Sequence, residues 1–336
     1  MKDLIIPKDY QCTMTLRETQ KAIKLIKDTF QTNLSEVLNL DRVTAPIIVA
    51  SDTGINDDLN GVERKVNFSV KKLDEANCEV VQSLAKWKRM ALYRYEYEAG
   101  CGIYTDMNAL RRDDDMDNVH SIFVDQWDWE KVITKDDRNV EYLKDTVKKI
   151  ASAIALTCNK VKLLYPQVKT KISHKVFFIT TQELEDMYPD LTPKERENAI
   201  TKEHKTVFII GIGGALKSGK SHDGRAADYD DWTLNGDLLY WNEVLSSAIE
   251  ISSMGIRVDA ATLDKQLTIR GNDERRAFKY HSMILNNELP LTIGGGIGQS
   301  RLCMLILGKA HIGEVQVSVW SEEVQKECKK HNIILL

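Results

Sequence analysis

Nowhere in this chain of 336 residues do about 18 apolar residues follow one another, so no membrane-spanning helix and no membrane partner are expected. The opening Met1-Lys2-Asp3-Leu4-Ile5-Ile6-Pro7 lacks an apolar run of leader length, and the expectation is a cytoplasmic protein. Six cysteines are scattered singly, with neither a Cys-x-x-Cys pair nor a metal-ligand spacing to the seven histidines. They are expected to be reduced, mostly buried thiols. Nor does one sign of charge dominate. Lys and Arg number 46 against 50 Asp and Glu, a net of −4, and the two signs are interspersed, so no basic stripe offers a nucleic-acid surface. Internal repeats, low-complexity tracts and long linkers are missing too, and residues 1–336 are expected to form one domain.

What is there is a 43% hydrophobic content, enough for a substantial core, arranged with clear periods. Thr15-Leu-Arg-Glu18 matches a capping box and opens a long helix with Ile23, Ile26, Phe30, Leu34 and Val37 on one face, ending near Asn39. Residues 42–50 then read as a strand in which Pro46 lacks a donor and so belongs at an edge or interface, a strand suited to dimerisation. A second long helix spans 139–165. Strands are expected at 66–70, 79–84, 101–105, 120–127, 173–180, 206–212, 236–242 and 248–258, with helices near 182–188, 193–204, 260–268, 273–287 and 299–307. Hairpin-like succession of strands with helices between them points to an α+β fold.

Chemistry concentrates in three places. Leu291–Leu302 carries Gly294, Gly296 and Gly298 with Arg301 three residues beyond, an ATP-site signature: glycines keep side chains off a flat adenine, and an arginine meets phosphate or base. Asp237 and Glu250 sit on successive strands that a hairpin would bring together, two carboxylates of the kind Mg²⁺ uses beside a triphosphate. Arg257 lies seven residues past Glu250. That odd offset needs a bulge, for which Ser252-Ser253-Met254-Gly255 is suited, to restore a common face. Upstream, Arg111 would face phosphate, and alternation along 126–130 puts Gln126, Asp128 and Glu130 on one face with Trp127 and Trp129 on the other. Gly214–Ser221 matches the phosphate-loop pattern, but the Asp- and Gly-rich residues after it cannot start the helix that mechanism requires. It is expected instead to be a glycine-rich active-site loop.

Five blocks carry a resemblance. Residues 83–89 (SLAKWKR), 124–130 (VDQWDWE), 228–232 (DYDDW), 252–259 (SSMGIRVD) and 292–301 (TIGGGIGQSR) resemble the ammonia-dependent asparagine synthetases, the aspartate–ammonia ligases. The Pro46 strand, the Arg111 segment and the Gly294–Arg301 run resemble, in order, the three signature motifs of class II aminoacyl-tRNA synthetases. The resemblance implies a class II synthetase-like core, a central antiparallel sheet flanked by helices, acting as a homodimer without nucleic acid. Its substrates would be L-aspartate, ATP and ammonia, with Mg²⁺, and its products asparagine, AMP and pyrophosphate. It also implies roles. Arg111 would be the α-phosphate arginine and Arg301 the nucleotide-tail arginine, with Asp237 and Glu250 bridging magnesium and phosphate. Lys86 and Arg257 would hold aspartate carboxylates. Asp57, Gln126, Asp128 and Asp230 would complete the amino-acid pocket, Asp57 also taking a proton from ammonium. Ser252, Ser253 and Gly296 would line the substrate and nucleotide sites. Leu110, and the Arg-Asp-Asp after Arg111, depart from the general class II pattern. A tRNA synthetase core and a non-catalytic paralogue are the rival readings; the first lacks a basic recognition domain here, and the second should have lost some of Arg111, Asp237, Glu250 and Arg301.

Overall fold

A computed structural model describes residues 4–57, 59 and 63–336. The chain opens with α1 (Leu16–Leu38), whose Thr15 hydroxyl accepts from Glu18 N while the Glu18 carboxylate accepts from Thr15 N, the expected reciprocal cap. Next come β1 (Leu40–Arg42) and β2 (Ile48–Ala50), then β3 (Asn67–Val70), β4 (Ala76–Val80), α2 (Ala85–Arg94), β5 (Gly102–Leu110) and β6 (Phe123–Val132). The second long helix is α3 (Val140–Leu164), followed by β7 (Phe177–Thr180), α4 (Thr181–Met187), α5 (Pro193–His204) and β8 (Thr206–Ile210). A long hairpin, β9 (Asp230–Asn242) and β10 (Ser247–Arg257), leads to α6 (Ala260–Arg270), α7 (Lys279–Leu285), β11 (Thr292–Gly298), α8 (Gln299–Leu307) and α9 (Glu322–Lys330).

Eight strands form one sheet in the order β1-β5-β6-β11-β10-β9-β8-β7. Its inner pairings are antiparallel, as expected, but the outermost pairs, β1 with β5 and β7 with β8, are parallel. Strands β2, β4 and β3 make a separate small sheet. The expected single strand over 42–50 is therefore broken in two. Pro46 cannot donate to a ladder and restricts the residue before it, and the chain crosses between the two sheets around it.

Helices α1, α3 and α8 back one face of the large sheet and supply its main core, including Phe30, Ile150 and Ile154, none of them exposed. Trp127 and Trp129 point into this layer, and Phe30 lies 4.7 Å from Trp127, ring centre to ring centre. Alternation then turns Gln126, Asp128 and Glu130 to the opposite face. The same burial that stabilises the helical layer thus aims the polar residues. Phe30→Ala is expected to cost about 3–5 kcal/mol, read as a lowered urea midpoint. A loss within about 0.5 kcal/mol, the range of ordinary surface changes, would mean that this contact does not anchor the sheet.

Candidate active site

On the face opposite the helical layer, a cavity of about 540 Å³ opens over β6, β11 and β10. Of the expected residues, Asp57, Arg111, Gln126, Asp128, Asp230 and Glu250 line it, as do Ser253, Arg257, Gly296 and Arg301. One extra residue, Ile251, sits between the Glu250–Leu239 and Ser252–Leu238 pairs. This bulge falls at the edge of the expected segment, and Glu250, Ser253 and Arg257 now line the same cavity.

Arg257 is the most constrained group. Its Nε and Nη2 donate to the Glu130 carboxylate at 3.0 and 2.7 Å, and Nη1 donates to Asp230 Oδ1. Burial raises the Glu130 carboxyl's pKa, but Arg257 and then Lys88 pull it below its ordinary value. A guanidinium has five N–H donors, so one hydrogen on each terminal nitrogen is left for a ligand. The glycines of β11 make this clasp possible. A Cβ on Gly294 would lie 1.9 Å from Glu130 Oε2 and 2.6 Å from Arg257 Nη2, and one on Gly296 would lie 2.2 Å from Gln126 Oε1. The glycine run is a central strand, and its missing side chains first make room for neighbouring site residues, a role beyond the adenine clearance expected for it.

Three expected residues stand back from the lining. Lys86 is buried with its ammonium on Asp228 Oδ2 at 3.0 Å and the Gly54 carbonyl at 3.1 Å. Lys88, two residues along α2 and hence on another face, takes the cavity position instead, donating to Asp128 and, at 3.1 Å, to the Gly295 carbonyl. Ser252 is buried on the other side of β10 from Ser253, with no partner for its hydroxyl. Asp237 lies behind the lining, paired to Arg225, which does face the cavity. Part of the segment quoted around Asp57, namely Asp58, Asn60 and Gly61, lies outside the described residues. Asp57 itself is buried; Leu59 N donates to its Oδ1, and its Oδ2 has no hydrogen-bond partner among the described residues. Burial raises its pKa, against a smaller lowering by Lys86.

The phosphate-loop look-alike is a tight turn. Ala215 bridges Ser221, Leu216 N donates to the Lys220 carbonyl at 2.8 Å, and Ser218 Oγ donates to Glu185. No helix follows, and Gly214–Ser221 stays off the cavity; the segment after it, from Asp223 to Ala226, lines it.

Residues 17–332 match the family model described as aspartate-ammonia ligase. The chain is 59% identical to the aspartate–ammonia ligase of Clostridium tetani over 99% of its own length and 98% of that protein's. It is 55% identical to that of Levilactobacillus brevis over 99% of each. The chain belongs to the aspartate–ammonia ligase family. Among solved structures, asparaginyl-tRNA synthetase of Pyrococcus horikoshii complexed with asparaginyl-adenylate superposes with a TM-score of 0.65 at 18% identity, over 89% of this chain and 68% of that one. The Entamoeba histolytica asparaginyl-tRNA synthetase gives 0.61 at 15%, over 89% and 67%. The fold is therefore that of a class II aminoacyl-tRNA synthetase core.

Sequence reasoning missed two groups at the cavity wall of this ligase-family chain, Lys88 and Arg225, and the buried Glu130 that clasps Arg257 behind it. Alternation gives Glu130 only a place on a polar face, Lys88 lies beside the Lys86 to which the resemblance points, and Arg225 carries no signal beyond lying in an Asp- and Gly-rich stretch. Asp237 gives the site a pH signature. Burial, reinforced by Glu250's charge and offset by Arg225, pushes its carboxyl up to about 7. A carboxyl whose folded pKa exceeds its unfolded value holds its proton better when folded, so its stabilising contribution is present at low pH and is lost as pH rises toward about 7. Asp237→Asn removes the titration. In thermal melts without divalent cations, the stability of the parent relative to Asp237→Asn should fall from about pH 4 to about 7 and then level off. A difference constant across that window would remove Asp237 from this role.

Proposed function

We propose that this cavity joins ammonia to the side-chain carboxylate of L-aspartate at the expense of ATP, forming L-asparagine, AMP and pyrophosphate. One observation carries the reading. A buried guanidinium, clasped by two carboxylates and open on two hydrogens, shares a cavity with Arg111 and Arg301. An amino-acid carboxylate and a phosphate chain can therefore be held side by side. Arg257 takes the α-carboxylate end-on. The substrate ammonium finds Asp128, Asp230 and Gln126, and Lys88, in place of Lys86, is the ammonium group near the aspartate side chain.

In the first step an oxygen of the side-chain carboxylate attacks the α-phosphorus and pyrophosphate leaves, with Arg111 beside the developing charge. In the second, ammonia adds to the acyl carbon of the β-aspartyl adenylate and AMP leaves. Asp57, its Oδ2 without a partner at the cavity wall, can accept a proton from ammonium. Arg301 holds the nucleotide tail over Gly296, and Ser253 borders it.

Mg²⁺ suits Asp237 and Glu250. Burial and Glu250's charge raise the Asp237 carboxyl against the lowering by Arg225, so two carboxylates share one cation there, and Mg²⁺ takes one or two protein oxygens with phosphate and water completing its shell. Bound there, it would supply charge neutralisation for the phosphates. A homodimer through the Pro46 region is part of the reading, supported by Ile47, Ile48 and Phe68 standing 59%, 44% and 41% exposed on the small sheet and its approach. Among the described residues no helix is long and apolar enough to cross a membrane, which suits a cytoplasmic enzyme.

The test is isotopic. With ¹⁸O in the aspartate side-chain carboxylate, the reading requires ¹⁸O in AMP by mass spectrometry. Formation of ADP, or of AMP without label, overturns it. For the amino-acid end, Arg257→Lys keeps charge but loses the fork. It should lower kcat/KM for aspartate roughly ten- to hundredfold while the KM for ATP stays within about threefold. Steady-state titration of each substrate decides, and a defect confined to ATP would move Arg257 out of the aspartate site.

A further inference from the structure

Arg225 is a cavity cation to which the reaction above gives no task. Its Nη2 donates to Asp237 Oδ1, its Nη1 leans on the Gly224 carbonyl at 3.5 Å, and its buried Nε has no partner among the described residues. The side chain is 14% exposed and faces the cavity that Glu250 and Arg301 also line. Glu250 and Glu197 add negative charge around Asp237, so Arg225 is its nearest neutralising group.

A positive group therefore already sits where the reading above puts a dication. A metal ion arriving alone must displace it, leaving a guanidinium in a largely buried place without its carboxylate, which is costly. A metal ion arriving with a triphosphate brings new acceptors. Phosphate oxygens match the planar fork of a guanidinium, and the Nε–H, free of any partner here, is available to them. We propose that Arg225 is a displaceable internal counter-ion of Asp237 that makes metal entry conditional on nucleotide. This rests on Asp237 being a metal carboxylate. When nucleotide and metal bind together, the guanidinium exchanges Asp237 for the phosphate chain, and no bare dication occupies the site between turnovers.

Mn²⁺ binding to the full-length, nucleotide-free protein, followed by the loss of the free-ion electron paramagnetic resonance signal, tests this without turnover. Arg225→Gln should bind Mn²⁺ about ten- to hundredfold more tightly than the parent, the factor that one charge-assisted contact represents. The gain should vanish in Arg225→Gln/Asp237→Asn. Because Arg225→Gln leaves a buried carboxylate unpaired, Arg225→Lys is run beside it: the ammonium keeps the charge, and its gain should be the smaller. A gain from Arg225→Lys as large as that from Arg225→Gln overturns a guard based on charge. The metal site is checked separately, with a non-hydrolysable ATP analogue present. If Asp237→Asn then loses Mn²⁺ while Arg225→Gln without nucleotide binds no more tightly than the parent, the counter-ion role is refuted and the metal site stands. If Asp237→Asn keeps its Mn²⁺ and the double variant keeps its gain, the metal site itself is wrong and the counter-ion role goes with it.

Discussion

The clasp of Arg257 by Glu130 and Asp230 is the constraint around which the sheet is built. It ties β10 to β6 across β11 and to β9 on the other side, with Thr292 Oγ1 donating to Glu130 Oε1 at 2.6 Å as a further tie. Three charged groups, each no more than 3% exposed, are tolerable only because they are mutually paired; removing one partner of such a set typically costs about 3–5 kcal/mol. The guanidinium passes over β11 at Gly294, where any side chain would occupy the carboxylate's place. The glycine requirement is thus imposed by the ion network as well as by any nucleotide. On the opposite face Gly295 meets Met254, where a Cβ would lie 2.5 Å from the methionine's own.

Fold and site were legible in the sequence wherever burial is apolar. The periods of α1 and α3 and the β9–β10 hairpin follow from the spacing of hydrophobic residues, as does the facing of Gln126, Asp128 and Glu130 once Trp127 and Trp129 are assigned inward; the start of α1 follows from the Thr15–Glu18 capping box. Where burial is polar the signal fails. Helix α2 was not read as a helix because its inward residues include Lys86, Lys88 and Arg89, all nearly fully buried, with Arg89 donating to the carbonyls of Pro290 and Val258. A hydrophobic period cannot reveal a face made of ammonium and guanidinium groups. Strand β11 was read as a nucleotide-binding run, since four of its seven residues are glycine and offer no alternation.

Lys86 and Lys88 sit differently about the cavity. A motif transfers residue types in order, but two residues along a helix turn the side chain by about 200°, from the cavity to the Asp228 cluster. Asp228 gathers Lys86, Arg275 and His281 on a single carboxylate oxygen, and these neighbours hold it below its ordinary pKa despite its burial. Lys86 therefore rests on Asp228, and its neighbour two positions on lines the cavity.

The two ends of the cavity also differ in how tightly their cations are held before any ligand arrives. At the end proposed for the amino acid, Arg257 and Lys88 are buried and fixed by carboxylates, so a small zwitterion bound there would meet a geometry already in place, with little side-chain freedom left to lose. At the end proposed for phosphate, Arg111 reaches only the Gln82 carbonyl, at 3.3–3.4 Å, among the hydrogen bonds described, and Arg301 the carbonyls of Val119 and Glu250, at 3.3 and 3.2 Å, with the Glu250 carboxylate 3.9 Å away. Contacts this long give way readily to a phosphate, which offers shorter charge-assisted bonds in exchange. Arg225 stands between these regimes, charge-paired like the first pair of cations and bordering the same open space as the second. On the proposed function, discrimination by shape thus belongs where the cations are fixed, and adjustment during adenylyl transfer belongs where they are loosely held.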